Sequence, residues 1–269
     1  MKEKIGVGIV TCNRPDFLEK LIESVKDCDY IDEFVIVNDG SPLPDIDIPF
    51  AHTLLQNKTN LNVGASKNRL MQHLLDRGCD YIFTLEDDII IKDTNIFKEY
   101  IKASKETGLQ HFNFGFSQRE NLSKDLKPVY RKVIDYGNDI KLVLTKNILG
   151  ACTFYTRNAL ANVGMHHYKF DKGHGDHLEL TYRAFKHGYG TPFWWFADIY
   201  DSWNKIENQS NFTTDSVVRS ENFASKFSEA RDTFKFLHGC DIFEVEELSE
   251  ESVIDLLKNI KQKNAITKQ

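Results

Sequence analysis

Three short apolar runs, residues 5–10, 34–37 and 81–85, each stop abruptly at polar side chains, and this repetition constrains the fold more than any other feature of the chain. The runs are continuous rather than alternating, as strands buried on both faces require. Between them lie segments with the 3.6-residue period of amphipathic helices: Phe17, Leu18, Leu21, Ile22 and Val25 after Pro15, then Leu70, Met71, Leu74 and Leu75 in a helix expected from about Ala65 to Gly78. A short strand is expected at 53–55. This order predicts an α/β fold with a Rossmann-like, mostly parallel central sheet flanked by helices. Ligands of such sheets sit beyond the carboxyl ends of the strands. Parallel strands share a direction, so Thr11-Cys12-Asn13, Asn38-Asp39 and Glu86-Asp87-Asp88 should converge at one edge.

The acidic triplet needs company. Adjacent carboxylates repel one another, and holding them together costs free energy unless a cation, a hydrogen-bonded ligand or water compensates. In an extended chain neighbouring side chains point to opposite faces, so the three cannot chelate one ion without a bend. The formal net charge of −6 gives no global attraction to nucleic acid or anionic membrane. Five cysteines without a C-x-x-C spacing suggest reduced thiols in an intracellular compartment. No apolar stretch approaches the roughly 18 residues of a membrane span and no signal peptide is evident, so a cytoplasmic location is expected.

Further along, Asp93-Thr94-Asn95 precedes a helix carrying Ile96, Phe97, Tyr100 and Ile101, and Phe112, Phe114 and Phe116 alternate like one face of a strand. The polar stretch 117–146 holds seven Lys or Arg against four Asp or Glu, beside Tyr130 and Tyr136, and reads as a solvated excursion or an anion site. Residues 150–155 return to strand character before a short helix ending at Gly164. A helix follows over 178–187, with Leu178, Tyr182 and Phe185 on one face, and 193–196 is an aromatic strand or buried segment. Leu248 and Ser249 form a staple and cap for a last helix bearing Val253, Ile254, Leu257 and Ile260. A core domain over 1–205 and a mainly helical extension packed on it over 206–269 are expected.

In this order the motifs resemble glycosyltransferase family 2, whose fold is called GT-A, over roughly residues 4–203. Residues 7–15 look like that family's first strand and loop, which makes Thr11, Asn13 and Arg14 donor-site candidates. Val35-Ile36-Val37-Asn38-Asp39-Gly40-Ser41 looks like its second, whose Asp contacts the nucleotide base, and here that is Asp39. Asn62-Val63-Gly64-Ala65-Ser66 with trailing Arg69 is similar to an Asn-x-Gly segment whose Arg would meet the diphosphate, although Leu70 stands where the family usually has Asn. Glu86-Asp87-Asp88 looks like the acidic metal motif. The resemblance implies Asp88 as ligand of Mn²⁺ or Mg²⁺, with Glu86 and Asp87 on ribose, sugar hydroxyls or metal-bound water. Beyond Gly188, where the family often has a metal-binding His, stands Asp201.

Counting back from Arg183, the family's usual Glu-Asp pair falls on Asp176 and His177. Either could deprotonate an acceptor hydroxyl. Asp176 is favoured, although Asp176-x-x-Glu179 also reads as a capping box. His174 with His177 is a His-x-x-His pair, weak as a Zn²⁺ signal without further ligands. His174, Trp194 and Trp195, with Trp203, are acceptor-side candidates, aromatic rings being suited to stacking on sugars and equally to core packing.

The resemblance therefore implies a metal-dependent inverting glycosyltransferase that moves a hexosyl or pentosyl group from a nucleotide sugar, expected to be UDP-linked, to a hydroxyl of a surface polysaccharide, glycan or lipid-linked acceptor. Transfer to hydroxymethylated DNA bases is the alternative that the basic 117–146 stretch would permit. A nucleotidyltransferase and a non-catalytic sugar-binding relative are the alternatives of another class. Oligomeric state is left open.

Overall fold

The computed structural model describes residues 2–40, 42, 46–116, 121–170, 174–209 and 223–267. The three apolar runs become adjacent strands β1 (Ile5–Thr11), β2 (Glu33–Asn38) and β4 (Tyr81–Glu86), with β3 (Thr53–Gln56) outside β2. With β6 (His111–Asn113) and β9 (Cys152–Thr156) they form a six-stranded sheet in the order β3-β2-β1-β4-β9-β6. Only β9 runs against the others. The chain leaves β1 toward β2 and β3 on one side, then crosses to β4 on the other. The β1/β4 crevice is thus the point where the winding reverses, the usual place for a ligand in an open α/β sheet.

Helices cover both faces. Val7, Ile9, Ile36, Phe83 and Leu85 belong to one core cluster with α1 (Pro15–Val25) and α3 (Ile96–Thr107). The alternate residues Val10, Val35, Val37 and Ile82 pack with Leu70, Met71 and Leu74 of α2 (Asn62–Asp76). Glycines let α2 sit directly on β1: a Cβ at Gly8 would lie 2.1–2.4 Å from three side-chain carbons of Leu70. Gly8→Ala is therefore expected to destabilise the protein by about 1–3 kcal/mol through overpacking, read as a lowered urea midpoint. An unchanged midpoint would contradict this close seating.

Several boundaries differ from expectation for local reasons. Helix α2 starts at Asn62 rather than near Ala65, because the Asn62 amide donates to Asn60 Oδ1 at 2.8 Å in a turn that opens the helix early. The stretch 117–146 contains the hairpin β7 (Lys132–Gly137) and β8 (Ile140–Thr145), with β8 also paired to β10 (Phe196–Ile199). Strand β7 has one half-buried face and one exposed face, so it reads as polar in sequence. Phe193, Trp194 and Trp195 precede β10, and Trp194 has a positive φ of 70°. Phe112, Phe114 and Phe116 are all buried, although β6 ends at Asn113.

After α4 (Arg157–Val163), α5 (Asp176–Lys186) and α6 (Ser202–Lys205), β11 (Ile206–Asn208) pairs with β5 (Ile89–Ile91). Residues 206–208 thus belong to the core, and the expected boundary at 205 falls against one of its strands. Beyond them α7 (Phe223–His238) packs Phe234 against Tyr182 of α5, with ring centroids 5.1 Å apart. Helix α8 (Glu250–Thr267) buries Val253 and Leu257 in the cluster that contains α3. Ser249 Oγ accepts from the Ser252 amide at 3.2 Å at its start. Among the described residues no helix is long and apolar enough to cross a membrane.

Candidate active site

The ends of β1, β2 and β4 meet in the crevice. Thr11 Oγ1 donates to Asp87 Oδ2 at 2.7 Å, and the Asp39 amide donates to Thr11 O at 2.8 Å. Arg14, in the loop after β1, ion-pairs with both Asp87 and Asp88, lying 3.2 Å from Asp88 Oδ2. Asn13 is exposed in the same loop with a positive φ of 55°, which Asn tolerates. Burial pushes the Asp87 carboxyl up to about 7, even against the opposing pull of Arg14 and Thr11. The chain after β11 closes over this loop: the Gln209 amide donates to Asp88 O at 2.6 Å, and its side chain donates to Ile89 O at 3.0 Å.

Asp39 is buried and accepts at Oδ1 from Asn57 Nδ2 at 2.8 Å and from the Leu61 amide at 2.7 Å. Asn57 also donates to Ser66 Oγ at 2.9 Å and accepts from Arg69, which donates in addition to Gln56 O at 2.8 Å. Arg69 is thus spent on the end of β3, supporting Asp39 through Asn57; its described bonds do not aim it at a diphosphate. Asn62, at the start of α2, has its amide taken by Asn60.

Deeper in the crevice lies a second group. Lys67 is buried on α2 and donates to Glu86 Oε1 at 2.6 Å and Gly150 O at 2.7 Å. Burial alone would pull its ammonium down, but Glu86 and Asp176 hold it above the ordinary value. A Cβ on Gly150 would lie 3.0 Å from Lys67 Nζ, 3.1 Å from Glu86 Oε1 and 3.3 Å from His177 Nδ1, so a glycine is what lets these three groups meet. His177 Nδ1 lies 3.4 Å from Asp176 Oδ1, and His166 Nδ1 lies 3.6 Å from Asp176 Oδ2. Gly64 underlies Asp176, whose Cβ would be 3.5 Å from an added methyl. Burial would raise the Asp176 carboxyl, yet His177, His166 and Lys67 hold it well below the usual carboxylate range. Burial also pushes His166 down to about 4, leaving it neutral at physiological pH.

The capping box does not form. Gly175 is the cap residue and Asp176 the first helical residue, without a side-chain cap bond; Glu179 accepts instead from Arg183 at 2.6 Å and has His238 Nε2 at 3.1 Å. Asp201 is not brought to Asp88: its side chain is half exposed, accepts from Asn204 at 2.7 Å and faces Lys205, which also pairs with Asp93 and Glu99. The indole N–H groups of Trp194 and Trp195 donate to Val245 O and Leu248 O, both at 2.9 Å, and so fasten the C-terminal extension. Trp203 packs its ring against Phe116. His174 lines an open cavity of about 290 Å³ with residues that include Tyr168, Lys169, Phe170 and Lys226. In the basic stretch Arg131 and Lys132 pair with Glu247 and Glu250, and Lys141 with Asp135.

Among the described residues no three His, Cys, Asp or Glu side chains group to hold a metal ion by themselves. Glu86 is engaged by Lys67, Asp87 by Thr11 and Arg14, and Asp88 by Arg14 as well, so a cation at Asp88 would share that carboxylate with Arg14. Mg²⁺-like ions keep several waters and take phosphate oxygens with one or two carboxylates, so this hard oxygen donor fits such an ion with a diphosphate beside it. Lys67, Asn57, His166 and Gln209 had not been singled out from sequence. Lys67 had left a signal, since it shares the spacing of Leu70, Met71 and Leu74 and so lies on the apolar face of α2.

A family model described as Glycosyl transferase family 2 matches residues 6–164, more than half of the chain. No curated protein matches. A mannosyltransferase from Pyrobaculum calidifontis, solved with GDP-Man and Mn²⁺, is 12% identical with a TM-score of 0.43, the match covering 62% of this chain and 48% of that one. Glucosyl-3-phosphoglycerate synthase from Mycobacterium tuberculosis, solved with Mn²⁺, UDP and glucosyl-3-phosphoglycerate, is 14% identical with a TM-score of 0.44, covering 69% of this chain and 66% of that one. The chain thus spans about half the length of the first and just under two thirds of the second.

Proposed function

The chain belongs to glycosyl transferase family 2 and has its GT-A architecture, and on that premise we propose that it is a metal-dependent inverting glycosyltransferase using a nucleotide sugar, preferably UDP-linked, and a glycan or lipid-linked hydroxyl as acceptor. One observation carries the proposal: the polar ends of β1, β2 and β4 meet at the winding reversal, where Thr11, Arg14, Asp39, Asp87 and Asp88 adjoin the group of buried Lys67 and Asp176 with half-buried Glu86 and His177. Asp39 suits recognition of a nucleobase N–H, being held rigidly by Asn57 and the Leu61 amide. Arg14 is placed to follow charge from the carboxylates to a diphosphate. Asn13 and Asn62 carry side-chain amides that a donor could meet. Mn²⁺ or Mg²⁺, held by Asp88, would supply neutralisation of the charge that develops on the departing diphosphate. Asp176 and His177 supply the base, so that a deprotonated acceptor oxygen displaces the diphosphate in one step with inversion. The unpaired cysteines accord with action in the cytoplasm.

The test is a thermal-shift panel of UDP- and GDP-sugars with and without Mn²⁺. A ligand binding only the native state at 100 times its Kd adds about 2.7 kcal/mol of apparent stability. At least one donor should raise the midpoint only when Mn²⁺ is present. No metal-dependent shift with any donor would overturn the proposal.

A further inference from the structure

Asp176 and His177 occupy unequal positions. Asp176 is 1% exposed, whereas the His177 side chain is 23% exposed. Its Nδ1 turns inward, 3.4 Å from Asp176 Oδ1 and next to Gly150. Nε2, on the opposite edge of the ring, is therefore directed away from the carboxylate. The far side of Asp176 is filled by His166 and reached by the field of Lys67.

We propose that His177 Nε2 takes the acceptor proton, and that Asp176 is a positioning residue that accepts from His177 Nδ1–H, fixing the tautomer and balancing the imidazolium that forms. The assignment rests on the glycosyltransferase reading above. As the acceptor oxygen bonds to the anomeric carbon, the bond from that carbon to the diphosphate oxygen breaks with its electron pair leaving on the diphosphate. The acceptor proton passes to Nε2 and afterwards to solvent. A carboxylate held as far below the usual range as Asp176, with the Lys67 ammonium nearby, has little tendency to take that proton itself. Contacts of 3.4 Å commonly shorten when substrate completes the site. The charged and titratable groups facing His177 are Asp176 on its own helix, Glu86 at the end of β4, Lys67 on α2, and His166 and His174 on the approach to α5.

The test uses the full chain with Mn²⁺ and the UDP-sugar that stabilises it, water serving as acceptor, and reads UDP release against pH. The wild-type rate should rise with pH through a single limb as the base loses its proton. His177→Gln should lose that limb and at least about 100-fold in rate, with donor affinity by calorimetry unchanged. His177→Ala should be partly rescued by added imidazole. Asp176→Asn should move the limb to lower pH by removing the adjacent negative charge, a shift that a merely structural role would not produce. A wild-type rate in His177→Gln, or a limb that persists there while Asp176→Asn is dead, overturns the assignment and leaves the glycosyltransferase reading standing. Failure of the wild-type protein to bind any donor overturns both.

Discussion

Asp88→Asn is expected to lower sugar transfer by at least about 10³-fold, equivalent to about 4 kcal/mol of transition-state stabilisation, and to erase the Mn²⁺-dependent thermal shift given by the donor. Asn keeps the size and one oxygen of Asp but not the charge. Arg14 then retains Asp87 as its partner, so the loop keeps an ion pair and the fold should survive. The loss falls on the reaction because a diphosphate leaves with negative charge that protein dipoles alone do not balance; a cation held by a carboxylate contributes several kcal/mol there. Rates measured with and without EDTA, beside urea midpoints, separate the two effects. Wild-type transfer in Asp88→Asn would move the metal elsewhere or remove it from the mechanism.

How much of this was legible in the sequence depended on how local each signal was. The three strand ends could be read because an apolar run and the polar residues that stop it are contiguous, and parallel pairing then sets Thr11 opposite Asn38 and Val10 opposite Glu86. The acidic cluster is equally local. The place of Asp201 depends on the path of the chain through β10, α6 and β11, which brings Gln209 to the Asp88 loop and sets Asp201 beside Lys205. The bonds of Trp194 and Trp195 could not be read because their partners, Val245 and Leu248, lie far ahead in the sequence. Arg69 keeps the place in sequence that the family resemblance assigned it, yet the end of β3 offers Gln56 O and the residue after it, Asn57, first. The hairpin β7–β8 hid because a strand with one half-buried face and several charges has the composition of a loop.

Lys67→Met should be the most damaging single change to stability in the site, at about 3–5 kcal/mol, the range for removing one partner of a buried ion pair. Met fills a similar volume, so the loss comes from charge: Glu86 and Asp176 would remain close together in a buried region without the ammonium, and Gly150 O would lose its donor. Lys67→Met with Glu86→Gln should recover much of the loss, since neutralising both partners removes the uncompensated charge. The pH dependence follows from sign. Burial raises both carboxyls, but Lys67 helps hold both below their unfolded values in the native state. Its stabilisation is therefore complete above those unfolded values, about 4, and fades as pH falls further toward the depressed native ones. The gap in urea midpoint between wild type and Lys67→Met should be widest near neutrality and narrow below about pH 4. A gap that is constant with pH would mean that Lys67 stabilises by packing, leaving the carboxylates of Glu86 and Asp176 to be held apart by something other than its charge.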